Sequence, residues 1–550
     1  MSQVDLARDR EGHPWREVDV CIVGAGPAGL SLARRLSNTQ LSIVVLEAGP
    51  TKQEGPEAEG IHTGLPYEID ETRSFGTGGT AQRWFVDTPH GPGHVRLREL
   101  DPGDVDGRAW IGEEPWPISH EELSKWYPSA RSLCGISEYP PPWTSDPVVT
   151  ATDHQLELSL FEFAHRSVFT ETIPRWLQRQ PRVEIVNRAK ALGIVGGGVP
   201  FEATGVRIHL LDTDEMVSLR AKVVILCAGA AENARLLLQP ISDDTSELGN
   251  ASGQVGVGFM EHPNYIGGIL VPSPSWLRSA GARTRFEHLS GRLIERRYVL
   301  SDSLQERFGL LRNHIRLSRS TMPRRAVAAL LAGAPASPAL PAARRLLTAL
   351  RAGRATELPS ALGSIIGHAP SLARYTSSVT RYRVSHRHEE LPREVFVLVS
   401  SSEQRRHPSS RVILGAPGRD GTRAVSIHLE LTEPDLESME RWSQVLATVF
   451  EDAGVGRLVD LFDRSQAPSS LGWGHHHLGT TVMSKRPEEG VVDRDGRVHG
   501  TGNVYVCSSS VFPTGGYANP TLTIIALACR LADHLRRRLE GRATPVAPEV

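Results

Sequence analysis

The chain has little that would staple or anchor it. Only five cysteines (Cys21, Cys134, Cys227, Cys507, Cys529) stand among 550 residues, widely spaced and with no CxxC pair. That spacing excludes a thiolate zinc site and a disulfide framework, and fits small buried thiols in a reducing compartment. Apolar runs are short, none reaching the roughly 18 residues a membrane-spanning helix needs. The polar start, Met1 to Glu11, lacks the apolar core of a secretory signal, so a cytoplasmic location is expected. Charge excess is missing too: Lys+Arg 61 against Asp+Glu 63 gives −2. Such a chain has no global field to steer it onto nucleic acid, and none is expected as a partner. With 39% hydrophobic and 23% charged residues the composition is that of an ordinary globular protein, long enough to bury a sizeable core.

A nucleotide site is present near the start. The apolar, β-branched run at 18–23 reads as a buried strand. Gly24-Ala25-Gly26-Pro27-Ala28-Gly29 follows at once, then helical spacing from Leu30 to Leu36, then a second strand, Ser42 to Leu46, ending in Glu47. Strand, glycine turn, helix, strand and acid within about thirty residues form a dinucleotide fingerprint. Gly24 permits the tight turn, Gly26 lets the backbone approach a pyrophosphate, and Gly29 lets helix and strand pack closely. The helix start offers N–H groups to phosphate. Glu47 suits ribose hydroxyls. A second glycine-rich stretch, Val195 to Pro200, is followed by a proline and no helix, and reads as a turn between strands. The fingerprint alone does not choose between NAD and FAD.

Further motifs lie in order along the chain. Arg73-Ser74-Phe75-Gly76-Thr77-Gly78-Gly79-Thr80 leads to Arg83-Trp84. Trp116-Pro117-Ile118-Ser119 comes next, then Val223 to Ala230 running into Glu232-Asn233-Ala234-Arg235. After Gly258-Phe259-Met260-Glu261-His262-Pro263 there is a gap to Glu403, Pro408 and Ser410-Arg411-Val412. The last are His475-His476-His477-Leu478-Gly479-Thr480, with Met483, and Gly516-Tyr517-Ala518-Asn519-Pro520-Thr521.

In this order the motifs resemble the glucose–methanol–choline (GMC) family of FAD-dependent alcohol oxidoreductases. Within it they look most like the branch with pyranose 2-oxidase, fructose dehydrogenase and bacterial glycoside oxidases. The resemblance spans about residues 18 to 537. It implies an α/β fold, α+β overall: a discontinuous Rossmann-like FAD-binding domain (15–100, 180–263 and 471–540) and a substrate domain with an antiparallel sheet and helices (101–179 and 264–470). Residues 1–14 and 541–550 are expected to be flexible termini. For the cofactor it implies FAD contacts from Gly24, Gly26, Pro27, Ala28, Gly29, Glu47 and Ala48. Further contacts are implied from Arg73, Gly78, Gly79 and Thr80, from Ala228 and Gly229, and from Ser510, Asn519, Pro520 and Thr521. Some relatives carry at position 83 a histidine bonded to the flavin. Arg83 cannot form that bond, so non-covalent FAD is expected.

Alcohol oxidation needs a base for the hydroxyl proton and an acceptor for hydride. In the family a histidine seven residues before a methionine is that base. Here Met483 points back to His476, and histidine titrates in the right range. The implied partner is Asn519, opening the last helix, where it also suits an N-cap. That helix start would favour negative charge on a reduced flavin. Arg83, His475 and His477 are candidates for substrate contact. Three adjacent histidines also suggest a metal tract, but consecutive residues point alternately and no acidic or cysteine partners cluster nearby, so no metal is expected. His262 reads as structural.

These features predict oxidation of an alcohol on a sugar, glycoside or polyol-like substrate to a carbonyl, with oxygen, a quinone or a redox protein as electron acceptor. The protein would be a monomer or homo-oligomer. The alternatives are another FAD oxidoreductase such as a monooxygenase, a tailoring oxidase acting on a non-sugar natural-product alcohol, or a non-catalytic flavoprotein. Between Glu306 and Glu357 no acidic residue occurs while arginines recur. An Arg/Ala/Leu-rich helical insertion at about 315–370 is expected there, either solvated, or touching a membrane, partner or anionic substrate, or serving as a lid.

Overall fold

The computed structural model describes residues 17–51, 60–136, 139, 146–239, 248–279, 286–289, 291–333, 369–386, 391–418, 420–467 and 471–541. Residues 1–14 and 542–550 of the expected termini, and residues 334–368 of the expected insertion, lie outside the described residues.

The fingerprint folds as its pattern predicts. Val18–Val23 is a strand, Pro27–Leu36 a helix and Ile43–Leu46 a strand. Pro27 occupies the first turn, where no N–H partner is lost, and Arg34 and Arg35 face the negative end of the dipole. Val18–Val23 lies between Ile43–Leu46 and the second half of Glu215–Leu226, parallel to both, with Cys21 opposite Val44 and Val224. Val183–Val186 and Val504–Val506 extend the parallel part on either side. Buried on both faces, these strands are largely apolar, with Asp19 and Glu184 among the exceptions. Helices Pro27–Leu36 and Thr521–Glu540 pack together over them, closing a core in which Ile22, Leu30, Val224, Ile525 and Cys529 are fully buried. All five cysteines are free and buried. The first half of Glu215–Leu226 pairs antiparallel with Glu202–Leu210, and that strand with Ala189–Gly197. Gly198 to Pro200 form the turn of this hairpin, within the stretch expected to make one, while Gly196 and Gly197 are still paired in the strand.

A second, antiparallel sheet runs in the order Gly456–Asp460, Pro263–Pro272, Glu394–Ser402, Asn313–Thr321, Arg292–Leu300, Leu156–His165, Gly91–Leu97, Val86–Thr88. Two expectations are corrected here. Residues 86–97, grouped above with the first unit, belong to this sheet because His94–Leu97 pair with Glu162–His165 and Val86–Thr88 with Gly91–His94. Residues 315–321, the expected start of the helical insertion, are strand, paired along their length with Glu394–Ser402. The helix Arg324–Leu331 does follow, with Val327 and Ala328 buried against Val395 and Tyr382. Helix Glu433–Asp452 opens with a Thr432/Asp435 capping box and backs the sheet with Met439, Trp442, Leu446 and Phe450, the face its spacing predicts. A third, small sheet joins Arg411–Pro417, Arg423–Leu429 and Gly60–Gly64.

Candidate active site

A cavity of about 1350 Å³ opens between the parallel strands and the antiparallel sheet. It exceeds the roughly 300–1,000 Å³ of an ordinary single-ligand site. Its wall includes Gly24, Gly26, Pro27, Ala28, Glu47 and Ala48 of the fingerprint, with Ala228 and Gly229. The glycines explain the close fit. Gly24 has φ +109°, and a Cβ there would lie 2.6 Å from the Cys227 carbonyl oxygen. A Cβ on Gly29 would lie 2.0 Å from the Gly24 carbonyl oxygen. Gly26 differs: its nearest neighbour would be Gly79 Cα at 3.9 Å, and the side it leaves bare faces the cavity.

Glu47 is buried, and its carboxylate accepts from the N–H groups of Ala25 (2.9 Å), Gly49 (2.9 Å) and Gly76 (2.8 Å). Its partners within the chain are thus backbone amides, which tie the fingerprint to the second glycine loop. In that loop Gly79, Thr80 and Arg73 line the cavity. Arg73 is ion-paired to Glu232 at 3.0 Å. Three expected contact residues stand behind the wall. Gly29 packs on Gly24, Gly78 against Thr170, and Ser510 is fully buried, bonded to Thr481 and Asn233. Asn233 in turn accepts from the Ala228 N–H. Ser508 and Ser509 reach the cavity instead.

His476 and Asn519 also line the cavity, 43 residues apart in sequence, with Asn519 Nδ2 2.8 Å from His476 Nε2. An amide nitrogen only donates, so His476 Nε2 carries the lone pair and Nδ1 the proton. Nδ1 lies 2.7 Å from His262 Nδ1, which accepts that proton's hydrogen bond. His262, read above as structural, therefore holds the tautomer of His476. The last helix begins at Thr521 with Pro520 as its cap position. Asn519 is not the N-cap, because its side chain is turned to His476. Its loop is tethered by Glu403, which accepts from the Gly516 N–H (2.8 Å) and from Arg108 (2.7 Å) deep in the core.

An acidic group does stand at the histidine tract, contrary to expectation. Glu261 is fully buried and accepts from Tyr67 Oη (2.5 Å) and from the backbone N–H groups of His262 and His476 (2.9 Å each). Burial pushes its carboxyl up to about 7 against those donors. His477 turns back to this wall, beside Tyr67 and Phe259, with Nε2 3.8 Å from Glu261. Burial brings it down to about 3, and His262 to about 4. His475 has φ +59° and faces Phe85 at the cavity wall; Arg83 donates to the Glu71 carbonyl. Glu261 and His262 were legible as a motif, but nothing local shows that they meet a histidine more than 200 residues on.

The fold is shared with known proteins. Pyridoxine 4-oxidase from Mesorbium loti superposes with a TM-score of 0.57 at 14% identity, over 96% of this chain and 100% of that one. The 2-methyl-1,2-propanediol dehydrogenase of Mycolicibacterium austroafricanum is 23% identical over 96% of this chain and 98% of its own. The family model for GMC oxidoreductase matches residues 407–528, which contain both His476 and Asn519.

Over that stretch the chain matches the GMC oxidoreductase family.

Two other relatives match the chain over shorter stretches. Paromamine 6'-oxidase of Streptomyces fradiae is 34% identical over 25% of each chain, and C-glycoside 3-oxidase of Arthrobacter globiformis is 30% identical over 22% of each. A lycopene cyclase model matches residues 19–58, the fingerprint span. The matched family model is that of an oxidoreductase, and the cofactor the resemblance implies is FAD. The residues present fit that cofactor: a bare glycine floor at Gly26, a helix start at Pro27, and a cavity with room for a dinucleotide and a substrate together.

Proposed function

We propose that this protein is a GMC oxidoreductase that oxidises an alcohol on a sugar, glycoside or polyol-like molecule to a carbonyl, with His476 as base and Asn519 holding the oxygen. The observation that carries this reading is the 2.8 Å pairing of an acceptor nitrogen and an amide donor on the wall of the cofactor cavity. A substrate hydroxyl that displaces this direct contact would give its proton to His476 Nε2 and accept from Asn519 Nδ2. What FAD supplies when bound is a hydride acceptor at N5. The names of the relatives, a propanediol dehydrogenase and a C-glycoside oxidase among them, support the substrate class. FAD is held non-covalently, since Arg83 offers no imidazole. The FAD-binding domain takes the three segments expected above, except that 86–97 go with the substrate domain.

The test is an anaerobic titration of the purified protein with sugars, glycosides and simple alcohols, followed in the flavin band. Bleaching by one class supports the reading, and admitting air then reports whether oxygen accepts the electrons. A flavin spectrum that no alcohol bleaches would refute it.

A pH profile follows from the site. Burial first, then His262, His475, His477 and Arg96, hold His476 well below the usual histidine range. The neutral form is the active base. The rate of flavin reduction should therefore rise with pH through a value below 6.5 and be level above it. Stopped-flow reduction from pH 4.5 to 8 measures this; a rise centred above 6.5 would contradict the assignment.

A further inference from the structure

The antiparallel sheet presents an unusual wall to the cavity. Arg96, Arg297 and Arg316, from three of its strands, line it together with His314. All three guanidiniums gather on one carboxylate, that of Glu295. Arg96 bonds to it, Arg297 Nη2 lies 2.9 Å away and Arg316 Nη1 3.6 Å. Glu295 is fully buried and the Arg297 side chain is 5% exposed. Arg297 and Arg96 alone already outnumber that carboxylate. Burying a guanidinium without its own counter-charge is costly, and a chain under no functional demand replaces it by an apolar residue. Here Arg297 Nε is buried and has no hydrogen-bond partner. The strain is visible: burial and the neighbouring Arg96 and Arg316 bring the Arg297 guanidinium down to about 9. Burial, then Arg297 and Arg96, keep His314 neutral. The wall adjoins the reacting groups. His314 stacks edge-on to Tyr517, two residues before Asn519, at 5.7 Å, and Arg96 contributes to the field at His476.

We infer that Arg96, Arg297 and Arg316 form a subsite for an anionic group of the substrate, a carboxylate or a phosphate ester, carried on the same molecule as the alcohol that meets His476. This rests on the reading of His476 and Asn519 given above. Guanidiniums are suited to such groups because their planar donors match a carboxylate or phosphate in pairs. The subsite selects anionic sugars or polyols over neutral ones and disfavours amine-bearing ones.

The experiment uses the FAD-loaded full chain and a matched set: D-glucuronate, D-glucose 6-phosphate, D-glucose and D-glucosamine. Binding is read by calorimetry and by perturbation of the flavin spectrum, and flavin reduction is followed in parallel. One or both anionic members should bind at least about 10-fold more tightly than D-glucose, and D-glucosamine least; which of the two binds separates carboxylate from phosphate. Arg297→Gln should reduce that preference by about 10-fold. Should Arg297→Gln fail to fold, Arg316→Gln, at a side chain 22% exposed, carries the same expectation. Equal binding of neutral and anionic members, or a preference untouched in the folded variants, overturns the inference. Anion-selective binding with no reduction by any alcohol would leave the subsite standing and defeat the oxidation reading instead.

Discussion

Replacing His476 by alanine is expected to slow reduction of the bound flavin by about 10²-fold or more, with FAD still in place. General-base catalysis contributes about 10²–10⁴-fold, and the structure gives this role one well-prepared group. Nε2 of His476 faces the cavity with its lone pair fixed by two partners, Asn519 donating on one side and His262 accepting on the other. The backbone N–H of His476 is anchored on Glu261. The alanine variant loses the base but keeps every fingerprint residue, so its visible spectrum should be that of the parent. Stopped-flow reduction under anaerobic conditions separates the two. Bound flavin reduced at the parental rate would remove His476 from the chemistry.

The second large effect distinguishes two glycines of one motif. Gly29→Ala should abolish FAD loading by destabilising the fold itself. The added Cβ would stand 2.0 Å from the Gly24 carbonyl oxygen and 3.1 Å from Ile22 Cγ2, between a helix and a strand that are both fully packed. Overpacking of this kind costs about 1–3 kcal/mol when neighbours can shift, and backbone cannot retreat as a side-chain end does. Gly26→Ala should behave otherwise. Its Cβ meets nothing nearer than 3.9 Å, so the variant should fold and melt like the parent. It should nonetheless bind FAD more weakly, because the methyl group enters the cavity. Thermal melts of the apoproteins, set beside FAD titrations, test both. Parent-like melting of Gly29→Ala would refute the packing argument, and undiminished FAD affinity in Gly26→Ala would refute the cradle.

What the sequence determined by itself is what short-range physics encodes. Apolar runs, glycines at fixed offsets and a proline at a helix start specified the strand–turn–helix unit at 18–46 to within a few residues. The spacing of Met439, Trp442, Leu446 and Phe450 specified the buried face of the 433–452 helix. The order of motifs carried the family and, through it, the pair His476 and Asn519. These signals are local: each depends on neighbours within a turn or two, so it survives without knowledge of the fold. Boundaries decided by pairing were not legible. Residues 94–97 and 315–321 are strands because of partners 65 to 85 residues distant, which no window of sequence contains.

The polar interior was decided only by tertiary structure. His262 reads as one histidine beside a proline until packing brings its Nδ1 to His476. Glu261 is one letter of a motif until it is found fully buried beside Tyr67, His262, His476 and His477. Arg316, within the expected helical insertion at 315–370, instead sits on a strand and comes to a cavity wall with Arg96 and Arg297 around Glu295. Apolar burial follows a period along the chain. A buried charge follows none; it stands where a partner from another strand makes its desolvation tolerable, and that partner is chosen by the fold.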